Sequence, residues 1–388
     1  MRVLHLLKTS VGAQWALRQM RELVKLRIDV HVALPSGGPL VGACKGAGIT
    51  VHEAQFDYPV ARPWIFPRVA RELRELVARV EPDVIHSHFV GTTLTARLAL
   101  GAAHDTPRVF QVPGPLHLEH AIYRHGELLT AGPSDYWIGS CRWTHERYGH
   151  AGIPGDRRFL SYYGSDLESL QCADAPTLRT ELSLRPAQRI VGMVAYCYAP
   201  RFWLGQARGI KGHEDLVDAI ALCMAHDIDL VCVFVGGAWK GAERYERRVR
   251  EYAKARLGAR AVFLGNRNDV PRLYRALDVA VHPSHSENVG GAAESLLLGV
   301  PTIATSVGGF PDVVVPGETG WLVPPRNPIA LANAIREALA DPIQARRMAG
   351  EGRQRAQRLL DVKENAREIA GIYQTILARR PGAPGIAA

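Results

Sequence analysis

Two glutamates and a run of glycines carry the densest chemistry in this chain. In the stretch Pro283 to Gly309, PSHSENVGGAAESLLLGVPTIATSVGG, a polar turn bearing Ser286, Glu287, Asn288, Gly290 and Gly291 opens into an apolar helix, AAESLLL. Gly299 and Pro301 close that helix. The first turn of a helix has unpaired N–H groups and the positive end of the dipole, and glycines let a phosphate approach the backbone. The pattern is that of an anion site. Glu287 and Glu294 need a different partner, because carboxylates repel phosphate and suit hydroxyl groups; sugar and ribose hydroxyls are the natural candidates.

The elements that must position these residues alternate between strand and helix. Residues 189–196 (RIVGMVAY), 230–237 (LVCVFVGG), 261–266 (AVFLGN), 278–284 (DVAVHPS) and 301–305 (PTIAT) read as strands. Helices are expected over 213–226, 245–257 and 270–276. An earlier βαβ unit runs from Met1 to Pro35, with a strand RVLHLL, a turn Val11-Gly12-Ala13, an amphipathic helix from Trp15 to Arg27 and a strand DVHVALP. That turn has one glycine and not a dinucleotide fingerprint, so a nicotinamide cofactor is disfavoured. The polar segment from Asp166 to Gln188 suits a connection between domains. Two successive βα arrays predict two Rossmann-like domains facing a cleft.

Three further features carry two readings each. DVIHSHF ends a strand in His86 and His88, which point the same way; they could bind a metal, but no third ligand is evident, and they are read as lining the cleft. Val69, Leu73, Leu76, Val77 and Val80 recur at helical spacing under a charged face, as in a helix packed on a sheet. The neighbouring Arg62, Trp64, Ile65 and Phe66 could instead touch a membrane surface or a lipid-linked acceptor. Asp227-Ile228-Asp229 reads as a helix-ending turn and not as a metal motif.

Composition narrows the class. The 388 residues are 47% hydrophobic and 22% charged, as in a soluble globular protein long enough for two cores. No apolar run reaches the about 18 residues of a membrane span, and the start has no signal-peptide pattern, so a cytoplasmic location is expected. The six cysteines show no C-x-x-C spacing, which argues against a zinc site or a disulfide framework. The net charge of +9 suits a phosphorylated substrate or an anionic membrane surface. No aromatic-interleaved basic tract supports a nucleic-acid partner. Nothing in the sequence reads out an oligomeric state.

The ordered set of motifs from Gly192 to Pro325 resembles the retaining family-4 glycosyltransferases (glycosyl transferases group 1). The set runs Lys211-Gly212-His213, Phe263-Leu264-Gly265, Asp278-Val279 before Pro283-Ser284, Glu287 to Glu294, Gly299-Val300-Pro301, Gly308-Gly309 with Pro311-Asp312-Val313, and Gly317-Glu318-Thr319-Gly320. The resemblance implies an α/β GT-B fold of two Rossmann-like domains. Residues 1–166 would bind the acceptor and 167–364 the nucleotide sugar; a helix over about 365–380 would pack back on the first domain, and 381–388 would be a disordered tail. It implies a nucleotide-diphosphate sugar as donor substrate, no further cofactor, no metal, and a hydroxyl acceptor. Donor binding would fall to Gly12, Arg201, Arg208, Lys211, Gly265, Asn288, Gly290, Gly291 and Glu294. Lys211 would neutralise the diphosphate with Arg201 or Arg208, Arg201 being preferred; Glu294 would hold the ribose and Glu287 a sugar hydroxyl. His117, within PGPLHLEH, would replace the cleft histidine of relatives and act catalytically with Glu287 and Lys211; a core or surface histidine is the other reading.

The chain departs from the family pattern in three places. Six residues, not seven, separate Glu287 from Glu294; the first-loop glycine pair is reduced to Gly12-Ala13; and Pro113-Gly114 stands where relatives often have His-Gly. The function implied is transfer of a sugar with retention, in bacterial saccharide or glycosylated natural-product assembly. A nucleotide-sugar epimerase or hydrolase of the same fold, and a sugar-nucleotide binding protein without catalysis, are the alternatives.

Overall fold

The computed structural model describes residues 1–166, 170 and 178–379. Cys172 and the tail expected from residue 381 lie outside them. The chain gathers into two compact units, one of residues 1–166 with the segment from Leu360 onward, the other of residues 167–359.

The first unit is built on seven strands: β1 (Arg2–Leu6), β2 (Asp29–Leu34), β3 (Thr50–Glu53), β4 (Val84–Ser87), β5 (Arg108–Gln111), β6 (Asp135–Gly139) and β7 (Arg158–Leu160). Their order is β3-β2-β1-β4-β5-β6-β7, with parallel pairing throughout. The second unit has six: β8 (Arg189–Val194), β9 (Leu230–Val235), β10 (Ala261–Gly265), β11 (Val279–His282), β12 (Thr302–Thr305) and β13 (Trp321–Val323). Their order, β10-β9-β8-β11-β12-β13, repeats that of the first six strands of the other unit. All are again parallel.

Side-chain composition explains this. Parallel strands carry helices on both faces and so read as unbroken apolar runs; all six residues of β9, LVCVFV, are buried. Amphipathic helices supply the cover. The helix Phe66–Val80 buries Val69, Leu73, Leu76, Val77 and Val80, while Arg68–Glu72 at 2.7 Å and Arg71–Glu75 at 3.7 Å pair along its outer face. The last described helix, Val362–Ala378, begins at Asp361, whose side chain accepts from the N–H groups of Lys363 and Glu364. Its Ala366, Ile369, Ile372, Tyr373 and Ile376 join β1, β2 and the helix Gln14–Lys25 in the core of the first unit.

In each sheet the strand order reverses beside the first strand, between β1 and β4 and between β8 and β11. Open α/β sheets bind ligands at such a reversal, beyond the carboxyl ends of the strands. In the second unit the loops there are 195–212, after β8, and 283–289, after β11. The glutamates and glycines of the opening motif stand on the second of these.

Candidate functional site

Gly212 brings the two loops together. It ends the loop after β8 in a left-handed conformation, φ 72°, and a Cβ there would overlap the carbonyl oxygen of Pro283. The helix His213–Met224 starts at the next residue, so Lys211 is delivered to the mouth of the loop after β11.

There the Lys211 ammonium forms an ion pair with Glu287. The two side chains are 21% and 15% exposed, sheltered but reachable. Burial disfavours the charge on Lys211, yet Glu287 outweighs it and holds the lysine above its ordinary pKa. The Tyr198 ring centroid lies 5.8 Å from the ammonium. The other oxygen of Glu287 accepts the N–H of Asn288 at 3.1 Å, and its main-chain oxygen accepts from Gly309 at 3.2 Å. A Cβ on Gly291 would stand 3.0 Å from Glu287 Cγ, while at Gly290 the space is open.

The helix Gly290–Leu297 sinks Ala292, Ala293, Leu296 and Leu297 into the core and leaves Glu294 exposed. Beneath it, Ser295 Oγ meets His282 Nε2 at 2.9 Å. Burial, with Lys211 nearby, pushes the His282 pKa down to about 3, so this ring is neutral. Gly265 ends β10 at φ 64°, and no heavy atom lies within 4 Å of where its Cβ would be. Thus Lys211, Glu287, Asn288, Gly290, Gly291 and Glu294 share one corner of the second unit, with Gly265 on the same sheet.

The two arginines part company. Arg208 aims Nη1 at Asp215 (2.5 Å) and Asp218 (2.8 Å), and these carboxylates raise its pKa against the cost of burial. Arg201 is exposed on the same loop, just before the turn Phe202–Leu204. Sequence reasoning did not single out Asp215 or His285, which meet at 2.5 Å although 70 residues apart. No local pattern could have found them.

Gly12 and His117 belong to the first unit. Gly12 has φ 77° in the loop after β1. His117 is 5% exposed and both its ring nitrogens are occupied, Nε2 by the Tyr148 hydroxyl at 2.9 Å and Nδ1 near Gly114 O at 3.2 Å. Burial pushes its pKa down to about 4. These are the surroundings of a histidine that fixes the turn after β5.

His86 and His88 do not line a cleft; both are wholly buried in the first unit. A third imidazole, invisible in the sequence, comes from His5 on β1. His5 Nδ1 lies 2.8 Å from His88 Nε2, His88 Nδ1 2.7 Å from the Tyr163 hydroxyl, and His86 Nδ1 2.5 Å from the Tyr373 hydroxyl. This is the one grouping among the described residues with ligand atoms close enough for a metal. Tyr163 donates to Gln111 O at 2.9 Å, so His88 Nδ1 donates to Tyr163 and His88 Nε2 accepts from His5. A hydrogen-bonded chain of neutral rings accounts for the His5–His88–Tyr163 contacts. The five described cysteines are free and buried.

Comparison with known proteins matches this geometry to a family. Residues 202–355 fit the model "Glycosyl transferases group 1" and residues 12–169 the model "Glycosyltransferase Family 4". The chain belongs to the family-4 glycosyltransferases. Among curated relatives of this family, the lipopolysaccharide core biosynthesis mannosyltransferase LpsB of Rhizobium meliloti (strain 1021) is 29% identical over 208 residues, 53% of this chain and 56% of the relative. A D-inositol 3-phosphate glycosyltransferase of Mycolicibacterium gilvum (strain PYR-GCK) is 32% identical over 198 residues, 50% of this chain and 41% of that one. The chain thus spans about half the length of the curated relatives it matches. HepE of Anabaena, solved in complex with UDP, aligns with a TM-score of 0.80 at 22% identity, over 97% of this chain and 100% of that one. The fold is GT-B.

Proposed function

We propose that the chain is a retaining glycosyltransferase that moves a sugar from a nucleotide-diphosphate donor to a hydroxyl acceptor, in bacterial saccharide or glycosylated natural-product assembly. The observation that carries the reading is the Lys211–Glu287 pair at the strand reversal of the second sheet, beside the start of the helix Gly290–Leu297. Two further observations support it: HepE is solved with UDP and with UDP-glucose, and the curated relatives are named for transfer of mannose and for glycosylation of inositol phosphate.

Breaking a sugar–phosphate bond puts positive charge on the anomeric carbon and negative charge on the departing diphosphate. Lys211, the exposed Arg201 and the helix N-terminus meet the second charge without calling on a metal. Arg201 is preferred to Arg208, whose guanidinium is committed to Asp215 and Asp218. Glu294 holds the ribose and Glu287 a sugar hydroxyl once the donor competes for Lys211. The acceptor oxygen bonds to the anomeric carbon from the face the diphosphate leaves, and its proton passes to the departing phosphate oxygen. His117 acts by shaping the loop after β5. Trp64, 72% exposed beside Arg62, is where the first unit would meet a membrane; flotation with anionic liposomes, lost in Trp64→Ser, tests that contact.

Thermal-shift screening against nucleoside diphosphates and their sugars tests the donor reading, because a ligand stabilises in proportion to the logarithm of its excess over Kd. One base series should raise the melting temperature, and Lys211→Ala should reduce the rise. Turnover of a nucleotide sugar at full rate without acceptor would instead favour an epimerase or hydrolase.

A further inference from the structure

The lysine loop and the acid loop of the second unit are moored to one carboxylate that no sequence motif marks. Asp215, in the first turn of the helix His213–Met224, is 4% exposed. One of its oxygens lies 2.5 Å from His285 Nε2 and the other 2.5 Å from Arg208 Nη1. The His285 and Asp215 side chains are each 5% exposed. The main-chain N–H of His285 donates to Ile210 O at 2.7 Å. Residue 208, three before Lys211, and residue 285, two before Glu287, therefore converge on Asp215, and the main-chain bond from residue 285 to residue 210 ties the two loops beside it. The same Nη1 of Arg208 is shared with Asp218, which accepts from Tyr252 Oη at 2.5 Å and lies 3.1 Å from Arg256 Nε.

A buried His–Asp contact is costly to desolvate, and an apolar pair of similar volume would fill the same space. Its return is direction: a charge-assisted hydrogen bond fixes distance and angle where dispersion does not. Lys211 needs that help. Its flexible stem can meet a phosphate and Glu287 in register only if the two backbones are held at a set separation.

We propose that Asp215 and His285 are a positioning pair that sets the spacing between Lys211 and Glu287, and with it the width of the diphosphate cradle. The proposal rests on the donor reading above. Neither residue touches the donor; both act through the loops they join.

The test is the affinity for UDP, GDP, ADP and dTDP by titration calorimetry in the parent protein and in two variants. His285→Leu keeps bulk and removes the donor to Asp215; His285→Gln keeps a donor that can reach it. The pair predicts that His285→Leu weakens the best-bound nucleotide about tenfold or more, the loss expected for one charge-assisted hydrogen bond, and that His285→Gln stays within about threefold of the parent. Circular dichroism and melting temperature check folding. If the leucine variant does not fold, His285→Ser, which is too short to reach Asp215, takes its place with the same expected loss. Unchanged affinity in the leucine or serine variant overturns the pair, as does an equal loss in the glutamine variant, the sign of a packing role. If the parent binds none of the four nucleotides, the donor reading itself fails, an outcome distinct from either of these.

Discussion

Lys211 keeps its charge against burial because Glu287 stands beside it. In the proposed reaction a departing diphosphate would compete for the same ammonium, so that stabilisation from Lys211 would grow as the bond breaks. Lys211→Ala should lower kcat by about a hundredfold, as loss of one electrostatic donor to a leaving group commonly does; initial rates of nucleotide release measure it. Gly212→Ala should cost about 2 kcal/mol or more of stability in the second unit, read as a lower urea midpoint, because the left-handed backbone and the Pro283 carbonyl both oppose a Cβ. The acids and glycines of this site were legible in the sequence, since residue type and short spacing carry their chemistry. The engagement of Arg208 was not: it depends on Asp215 and Asp218, which only the folded helix presents to the loop. For the same reason the sequence hid His5 from His86 and His88, which parallel pairing of β1 with β4 brings together.

Elements were legible in proportion to their length and apolar continuity. β8, β9 and β11 read directly as strands, and the helix Phe66–Val80 as an amphipathic one. β7 (RFL) and β13 (WLV) run only three residues, too short for periodicity to register, and β3 (TVHE) has one apolar residue in four; pairing with neighbouring strands defines all three. Local pattern does not place the helix Val362–Ala378, which the resemblance sets against the first domain; it completes the core of a unit whose other described residues end at residue 166. Ile369 on that helix is fully buried. Ile369→Ala should destabilise the first unit by about 2–5 kcal/mol, the usual cost of such a truncation, and leave nucleotide binding by the second unit unchanged. Denaturant unfolding followed alongside UDP or GDP titration separates the two effects.

Across the whole molecule, both sheets place strands in one order although the two halves share no evident sequence repeat. Right-handed crossovers and buried parallel strands set that order, and many side-chain sets satisfy them. Both units also bury neutral histidines. Burial pushes His5 and His282 down to about 3 and His117 and His213 to about 4, and lowers His86 and His88 as well. In the unfolded chain these rings titrate near 6.5, so below that pH the unfolded state binds more protons. Their contribution is complete above about pH 6.5 and falls as pH drops toward the folded values, by about 1.4 kcal/mol per unit for each ring. The urea midpoint should therefore drop steeply from pH 7.5 to pH 5; a flat profile would mean that these rings are not buried neutral.

The most direct test of the donor-site account is proton NMR of the parent protein turning over the nucleotide sugar found by screening, with and without a hydroxyl acceptor. The account predicts acceptor-dependent release of nucleoside diphosphate and a product of the donor's own anomeric configuration, with release slowed about a hundredfold in Lys211→Ala. An inverted product, or no nucleotide released from any activated sugar tried, would contradict it.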